Sequence, residues 1–333
     1  MQTLTSPTSA SFTMEDWRSG YRSQPQEFDY WIDDIEGTIP PELTGTLFRN
    51  GPGLLDINGE TLKHPFDGDG MISRIAFRGG KAHYRSRYVR TEGYVAEQKV
   101  GKPLYRGVFG TQKPGGFWAN AFDLRLKNIA NTHVIYWGDR LLALWETTNA
   151  TPALAAWEAA NPHRLDPNTL ETLGLDHLDG LLQPGQAFAA HPRIDPGDAD
   201  RPSRLVNFSI KTGLSSTITL LEFDTSGTLV HSYSHVIPGF AFIHDCVITP
   251  NYVVFFQNPV SFNPLMFVLG MKGAAECIQF NPKQPTKIIV IPRDGQRPLQ
   301  RVDAPASFVF HHVNAFEQDD NLVIDSIGYR DFP

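Results

Sequence analysis

The stretch "RIAFRGGKAHYRSRYVR" (residues 74–90) sets Gly79-Gly80 between two runs in which apolar and polar residues alternate. A period of two is typical of β-strands, and two adjacent glycines readily take the positive φ angles of a tight hairpin turn. The same pattern surrounds Gly138-Asp139 in "VIYWGDRLLALWE" (134–146) and Ser226-Gly227 in "TLLEFDTSGTLVHSYS" (219–234). These three stretches predict antiparallel β-hairpins.

Short apolar runs separated by turn residues continue towards the C-terminus, as in "YVVFFQN" (252–258) and "KIIVIPRDG" (287–295). Strands at this spacing predict an all-β sandwich, barrel or propeller, although the regular Trp-Asp repeat of one familiar propeller class is missing. The best helical segment is "ALAAWEAA" (153–160), and residues 1–30 form a polar lead-in. Because no linker divides the chain, we expect a single domain over residues 1–333.

Composition excludes several classes of function. The chain has 333 residues, 41% of them hydrophobic, and a net charge of −7, so nucleic acid is not an expected partner. Cys246 and Cys277 are too few for a disulfide scaffold or a cysteine-based zinc site. Neither a signal peptide nor a run of about 20 apolar residues is visible. We therefore expect an intracellular protein that is soluble or attached to a membrane surface.

Two groups of residues resemble functional sites only superficially. In "HPFDGDGM" (64–71), Asp67 and Asp69 have the spacing of calcium ligands, but Met71 occupies the next ligand position. We interpret this segment as a glycine-rich turn. Four histidines in polar or turn contexts are predicted to be solvated: His83, His163, His177 and His231.

Three other histidines lie in apolar, strand-like contexts. They are His191 in "AFAAHPRID" (187–195), His244 in "GFAFIHDCVITP" (239–250) and His311 in "FVFHHVNAFE" (308–317). Strict alternation in the last stretch places His311 and His312 on opposite faces of one strand. The separations of 53 and 67 residues mean that a shared site would join three separate strand units. Spacing alone leaves two alternatives, a metal site or core histidines with ordinary partners.

Six motifs, in this order, resemble those of the carotenoid cleavage oxygenases, and most of all the cyanobacterial apocarotenoid oxygenases: "GTLFRNGPGLL", "KHPFDGDGMI", "LLALWE", "AHPRID", "FAFIHDCVIT" and "FHHVNAFE". The resemblance runs from about residue 14 to the last residue. It implies a seven-bladed β-propeller with a cap of loops and helices. It also implies an Fe(II) ion on the propeller axis, held by four histidines with glutamates behind them.

Carried over motif by motif, the resemblance assigns the first three iron ligands to His191, His244 and His311. His311 is chosen over His312 because the family's ligand lies three residues before an asparagine, here Asn314. Glu146 in "LLALWE" matches a glutamate that orients a ligating imidazole. A surface carboxylate at the end of a strand is the alternative for Glu146.

The sequence also departs from the family pattern. Nothing in it matches the fourth histidine or two further glutamates, which lie in the later part of longer relatives. We therefore expect an incomplete propeller that is part of a longer enzyme. Whether this chain alone is active stays open.

The implied reaction is cleavage of one conjugated double bond of an apocarotenoid or carotenoid by O₂, giving aldehydes such as retinal. The alternatives are a stilbene or a full-length carotene as substrate, or a non-catalytic propeller that serves as an interaction scaffold. The oligomeric state and the source of each product oxygen stay open.

An apolar polyene also implies a membrane-facing entrance and a cytoplasmic, peripherally membrane-associated enzyme. The candidate segment is "FNPLMFVLGMKG" (262–273), and an ordinary core segment is the alternative. The residues predicted to form this entrance are Phe262, Leu265, Met266, Phe267, Val268 and Leu269.

Overall fold

The computed structural model describes residues 13–146, 161–182 and 187–332, so the predicted helix at 153–160 lies outside the described residues. The strands are β1 (Asp29–Ile32), β2 (Gly45–Leu54), β3 (Asp56–Ile57), β4 (Glu60–Thr61), β5 (Asp69–Arg78), β6 (Lys81–Tyr88), β7 (His133–Trp137), β8 (Arg140–Leu144), β9 (His163–Leu165), β10 (Thr172–Leu175), β11 (Arg193–Asp195), β12 (Arg204–Lys211), β13 (Ser215–Phe223), β14 (Leu229–Pro238), β15 (Val247–Ile248), β16 (Tyr252–Gln257), β17 (Val260–Phe262), β18 (Ile278–Phe280), β19 (Thr286–Pro292), β20 (Gln300–Ala304), β21 (Phe308–Gln318) and β22 (Asn321–Tyr329). The helices are α1 (Met14–Ser19), α2 (Glu92–Val100), α3 (Gly116–Asn120) and α4 (Leu265–Val268), with 3₁₀ turns at Pro65–Asp67 and Ala275–Cys277.

The strands form consecutive antiparallel sheets. The first sheet has the order β1-β6-β5-β2, the second β10-β9-β8-β7, the third β11-β12-β13-β14 and the fourth β15-β16-β19-β20. The pair β21-β22 follows, and the shorter pairs β3-β4 and β17-β18 lie outside this series. The predicted all-β class is confirmed.

The predicted hairpin turns are present. Gly79 and Gly80 have φ angles of 56° and 72° between β5 and β6, and Gly138 and Asp139 have 55° and 57° between β7 and β8. Positive φ at both central residues is the type I′ geometry, whose twist matches that of the flanking strands. The turn between β13 and β14 contains Gly227 with φ 82°.

The second, third and fourth sheets each bury both of their faces against their neighbours. Along β13, Leu220 faces the core shared with the fourth sheet, and the next residue, Leu221, faces the core shared with the second sheet. Along β16, Phe255 faces the third sheet, and Val254 faces the pair β21-β22. Alternating side chains therefore serve two different cores, as in sheets stacked face to face.

Edge strands of neighbouring sheets contact one another. The strand β2 contacts β7, β11 contacts β15, and β15 contacts β21. Sheets packed side by side with neighbouring innermost strands have the arrangement of β-propeller blades around an axis. Residues at the starts of β7, β11, β15 and within β21 are thereby brought together, although they are far apart in sequence.

Two polar predictions have different outcomes. The glycine-rich turn at 64–71 is present, and Asp67 accepts hydrogen bonds from the backbone N–H groups of Phe109 (2.9 Å) and Thr111 (3.1 Å). The prediction that His163 is solvated was wrong, because this histidine begins β9 and is buried. Burial lowers the pKa of His163 to about 4.

Candidate metal centre

Each of the three candidate histidines lies on, or shortly before, the innermost strand of a different sheet. His191 precedes β11, His244 precedes β15, and His311 lies within β21. The Nε2 atoms of His191 and His244 are 2.8 Å apart. One ring nitrogen from each of the three histidines lies within 4.8 Å of the others. The structure therefore brings together the three residues that the sequence singled out.

The environment favours the neutral form of His191 and His244. Burial, with a smaller contribution from nearby His311, lowers the pKa of His191 to about 3. Burial also lowers the pKa of His244 well below its usual value, and the other two histidines add to that effect. A neutral imidazole is the form that binds a metal ion.

The donor set fits a transition-metal ion. Three imidazoles from three separate strands face one another, and imidazole is a good ligand for iron, zinc, copper and nickel. Burial and neighbouring rings make protonation of His191 and His244 less favourable, so the lone pairs of these two rings are available to a cation. A divalent cation would satisfy all three rings at once.

Glu146 lies directly behind this cluster. Its Oε2 accepts a hydrogen bond from the Ala190 N–H at 3.0 Å, and its Oε1 lies 3.9 Å from Nδ1 of His244. The latter separation is longer than a hydrogen bond. The carboxyl group nevertheless faces the ring nitrogen opposite the one that approaches His191. Burial raises the pKa of Glu146 to about 8.

The paired histidines of β21 have different environments. His311 is exposed, whereas His312 is buried, packs against Phe256 and hydrogen-bonds through Nδ1 to the Ser326 hydroxyl at 2.7 Å. Register shifts on both sides of His312 interrupt the strict alternation that the sequence predicted. The histidine of this pair that enters a core is therefore His312, and Ser326 is its partner.

Sequence reasoning missed three polar residues near the cluster. The ring of His133, the first residue of β7, is stacked on His191 with centroids 6.3 Å apart. Arg193 and Asp245 form an ion pair beside His191 and His244. For Arg193 and Asp245, the available signal was a position within two residues of a candidate ligand, in "HPRID" and "IHDC".

An aromatic group adjoins the histidines on one side. The ring of Phe310 lies 5.2 Å from that of His244, and Phe310 also contacts Phe308 (4.7 Å) and Phe332 (5.9 Å). Phe242 packs against the same rings. The surroundings of the metal centre are thus apolar on this side.

The segment predicted to face a membrane is divided between core and surface. Phe267 is fully buried beneath the Arg106 guanidinium, whereas Leu265 is exposed. The other four residues are partly buried: Phe262, Met266, Val268 and Leu269. A second segment lies beside this one, because the Phe122 N–H donates to the Val268 carbonyl at 2.7 Å.

Comparison with known proteins agrees with the motifs. The model of the retinal pigment epithelial membrane protein (RPE65) family matches residues 21–152 and 149–333. The chain belongs to the RPE65/carotenoid oxygenase family. It is 54% identical to the apocarotenoid-15,15'-oxygenase of Synechocystis over 98% of this chain and 65% of that enzyme. It is 31% identical to carotenoid cleavage oxygenase 1 of Neurospora crassa over 92% of this chain and 54% of that protein.

Solved structures give the same result for this family member. The cobalt-substituted Synechocystis apocarotenoid oxygenase superposes with a TM-score of 0.89 at 54% identity, over 96% of this chain and 65% of that one. The predicted β-propeller class is confirmed by this likeness. The chain thus spans about two thirds of the length of the Synechocystis enzyme.

Proposed function

We propose that this carotenoid oxygenase family member cleaves a conjugated double bond of an apocarotenoid with O₂, at an Fe(II) ion held by His191, His244 and His311. The observation that carries the proposal is the meeting of three imidazoles from three separate sheets, with the neutral form of His191 and His244 favoured by burial. Bound there, iron would supply the redox chemistry that joins O₂ to the substrate. The products would be aldehydes, such as retinal.

The protein's own residues would bind the substrate, orient the ligating histidines and exclude water. Strands β11, β15 and β21 position the three imidazoles. Glu146 would orient His244 by accepting a hydrogen bond from its Nδ1–H once the two groups approach to hydrogen-bond distance. The aromatic rings around Phe310 would hold the apolar chain of the substrate and keep water away from the reacting bond. An ion with all-histidine ligation keeps its full charge, which favours the carboxylate form of Glu146.

The names of two relatives and the apolar surroundings of the metal centre support an apocarotenoid as the substrate. The 54% identical relative is named for apocarotenoid cleavage, whereas a 31% identical relative from Aspergillus fumigatus is named for resveratrol cleavage. The higher identity favours an apocarotenoid over a stilbene. A purely structural propeller is the other alternative, and nothing in it would require three facing imidazoles.

The test is to load the purified protein with Fe(II) under anaerobic conditions and then add O₂ with either an apocarotenal or resveratrol. We expect aldehyde release from the apocarotenal, with O₂ consumed in proportion, and none from a His191→Ala variant. Faster cleavage of resveratrol would replace the substrate assignment. No bound iron and no cleavage of either compound, together with an intact fold in His191→Ala, would favour the structural alternative.

We also propose that the region around α3 and α4 contacts a membrane in which the polyene dissolves. Exposed apolar side chains lie on the two neighbouring segments: Phe117, Trp118, Phe122, Leu265 and Met271. In the described part of the chain, no helix has the length and apolar character needed to cross a bilayer. Contact would therefore be with the surface of the bilayer, through the exposed rings and Leu265 rather than through Phe267.

Co-sedimentation with phosphatidylcholine vesicles tests this contact. We expect Trp118→Ser combined with Leu265→Ser to reduce the bound fraction several-fold. Leu214→Ser is the matched control, because Leu214 is fully exposed but lies in the turn between β12 and β13. Equal loss in the control, or unchanged binding in the double variant, would contradict the proposal.

A further inference from the structure

An ion pair between partly buried Arg193 and buried Asp245 joins the three strands that carry the candidate ligands. Asp245 is 3% exposed, and its carboxylate accepts from the Arg193 guanidinium, from the Cys246 N–H (2.7 Å) and from the His312 N–H (3.0 Å). In return, Arg193 donates through Nε to the Cys246 carbonyl (2.8 Å) and through a terminal nitrogen to the His312 carbonyl (3.2 Å). We call Arg193 and Asp245 the strand clamp.

Each contact of the strand clamp falls within two residues of a candidate ligand. Arg193 follows His191 by two residues on the first of the strands, Asp245 directly follows His244, and the third contact is the backbone of His312, next to His311. A single ion pair therefore fixes the separation of three backbones on which the three imidazoles stand.

The local backbone explains why a clamp is needed at this place. The innermost strand of a blade has a free edge towards the axis, where N–H and C=O groups lack a neighbouring strand. At His312 the ladder with β22 is interrupted on both sides. The strand clamp satisfies both backbone groups of His312, and a buried backbone group left unpaired would be costly.

We propose that Arg193 and Asp245 are positioning residues of the metal centre, which hold His191, His244 and His311 at the mutual distances that a metal ion requires. The inference rests on the proposed metal site. Its chemical basis is the planar guanidinium, which can contact Asp245, Cys246 and His312 together. A lysine ammonium at the same place carries the same charge but lacks the planar arrangement of several N–H donors.

Another arginine, Arg293, provides a matched control. Arg293 also joins the third and fourth sheets, donating to Glu222 (2.8 Å), Asp195 (2.6 Å) and the Thr249 carbonyl (2.9 Å). It contacts the ends of β11 and β15 that point away from the histidines. Replacing either arginine by lysine therefore removes a comparable set of buried contacts, but only Arg193 adjoins the metal centre.

The experiment is titration of the metal-free protein with Co(II), following the visible absorption bands of the ion, together with thermal unfolding of the same metal-free samples. We expect Arg193→Lys and Asp245→Asn to weaken Co(II) binding by about 10–100-fold, as typical for residues that orient ligands, and to change the intensity of the bands. Arg293→Lys should lower the unfolding temperature by a similar amount and leave the affinity and the spectrum of Co(II) unchanged.

The outcomes distinguish a failure of the positioning role from a failure of the proposed metal site. Wild-type Co(II) affinity and spectrum in Arg193→Lys would overturn the positioning role and leave the metal site intact. So would equal losses of affinity in Arg193→Lys and Arg293→Lys, because the effect would then follow general stability. Co(II) binding that is unchanged by His191→Ala would instead overturn the proposed metal site. Should Asp245→Asn fail to fold, Arg193→Lys alone decides, because it retains the charge.

Discussion

Two polar clusters of this molecule differ in how their charges are balanced. In one, the Lys127 ammonium lies between the carboxylates of Asp69 (2.6 Å) and Glu97, and all three side chains are at most 9% exposed. This ion triad connects β5, α2 and the segment before β7. In the other, His191, His244 and His311 face one another, and none of them is paired with an opposite charge at hydrogen-bond distance.

The difference separates a structural cluster from a ligand-binding one. In the ion triad one ammonium lies between two carboxylates, which hold the pKa of Lys127 above its usual value although burial opposes this. Burial and the neighbouring histidines instead lower the pKa values of His191 and His244, and one ring nitrogen of each of the three histidines faces the others. A cluster of opposite charges contains its own counter-charge, whereas a cluster of like bases offers its lone pairs to a cation from outside.

The largest expected effect comes from removing a ligand. His191→Ala, His244→Ala or His311→Ala should each abolish Fe(II) retention and cleavage, because each removes one donor from the metal centre. His312→Ala should act on stability alone, since His312 packs against Phe256 and Ser326. Bound iron and unfolding temperature are measured for all four variants. Equal iron loss for the His311 and His312 variants would contradict the assignment.

The ion triad should show the opposite behaviour. Lys127→Met leaves two buried carboxylates without a counter-charge, which costs about 3–5 kcal/mol of unfolding free energy for a broken buried pair. Denaturant unfolding measures this loss, and Co(II) titration of the folded fraction should show unchanged affinity. Lys63→Met is the matched control, because its ion pair with Glu276 (2.7 Å) is more exposed and should contribute less than about 1 kcal/mol. A loss of Co(II) affinity in Lys127→Met would contradict the assignment of the ion triad to structure alone.

Local patterns predicted much of the fold and the identity of the three histidines. The turns at Gly79-Gly80 and Gly138-Asp139 are short-range signals, because positive φ at adjacent residues depends on the residues themselves. The family resemblance then selected His311 over His312. Neither source placed His312 in the core, because that depends on interruptions in pairing with β22, which only the folded partner strand creates.

The sequence could not predict polar partners that are far apart along the chain. Arg193 and His312 are 119 residues apart, and Lys127 and Asp69 are 58 apart, so no spacing rule could pair them. The apolar run at 262–273 illustrates the same limit for burial. The run alone could not distinguish Phe267, covered by Arg106, from exposed Leu265.

A smaller effect should come from the carboxyl group behind the histidines. Glu146→Gln retains the size of the side chain but removes the charge that Glu146 would carry beside a bound cation. We expect iron retention or turnover to fall by about 10–100-fold with the fold intact. Iron content, turnover and circular dichroism check this prediction. Wild-type values for iron content and turnover would assign Glu146 to the structure alone, through its hydrogen bond to Ala190.

The last expected effect, which contrasts the two clusters, is the pH dependence of metal-free stability. Burial lowers the pKa values of His191 and His312 to about 3 and 4, so the unfolded chain binds protons below pH 6.5 that the folded chain does not. Their contribution to stability is complete above pH 6.5 and is lost on acidification, by about 1.4 kcal/mol per histidine and pH unit. Asp69 has the opposite sign. Burial raises its pKa to about 6, so its contribution is present at low pH and is lost as the pH rises through 6.

The buried histidines with lowered pKa values outnumber the buried carboxyl groups with raised pKa values, Asp67, Asp69 and Glu146. We therefore expect the unfolding free energy of the metal-free protein to decrease from pH 6.5 to pH 5. Buried His163, whose pKa is about 4, lies outside both clusters and provides a graded test. His163→Gln should make the decrease shallower by the share of one histidine, because glutamine does not titrate. Asp69→Asn should make it steeper, because one of the opposing groups is gone. Denaturant unfolding at half-unit pH steps measures both slopes. Stability that rises on acidification in the unsubstituted protein would mean that the carboxyl groups, not the histidines, dominate its titration.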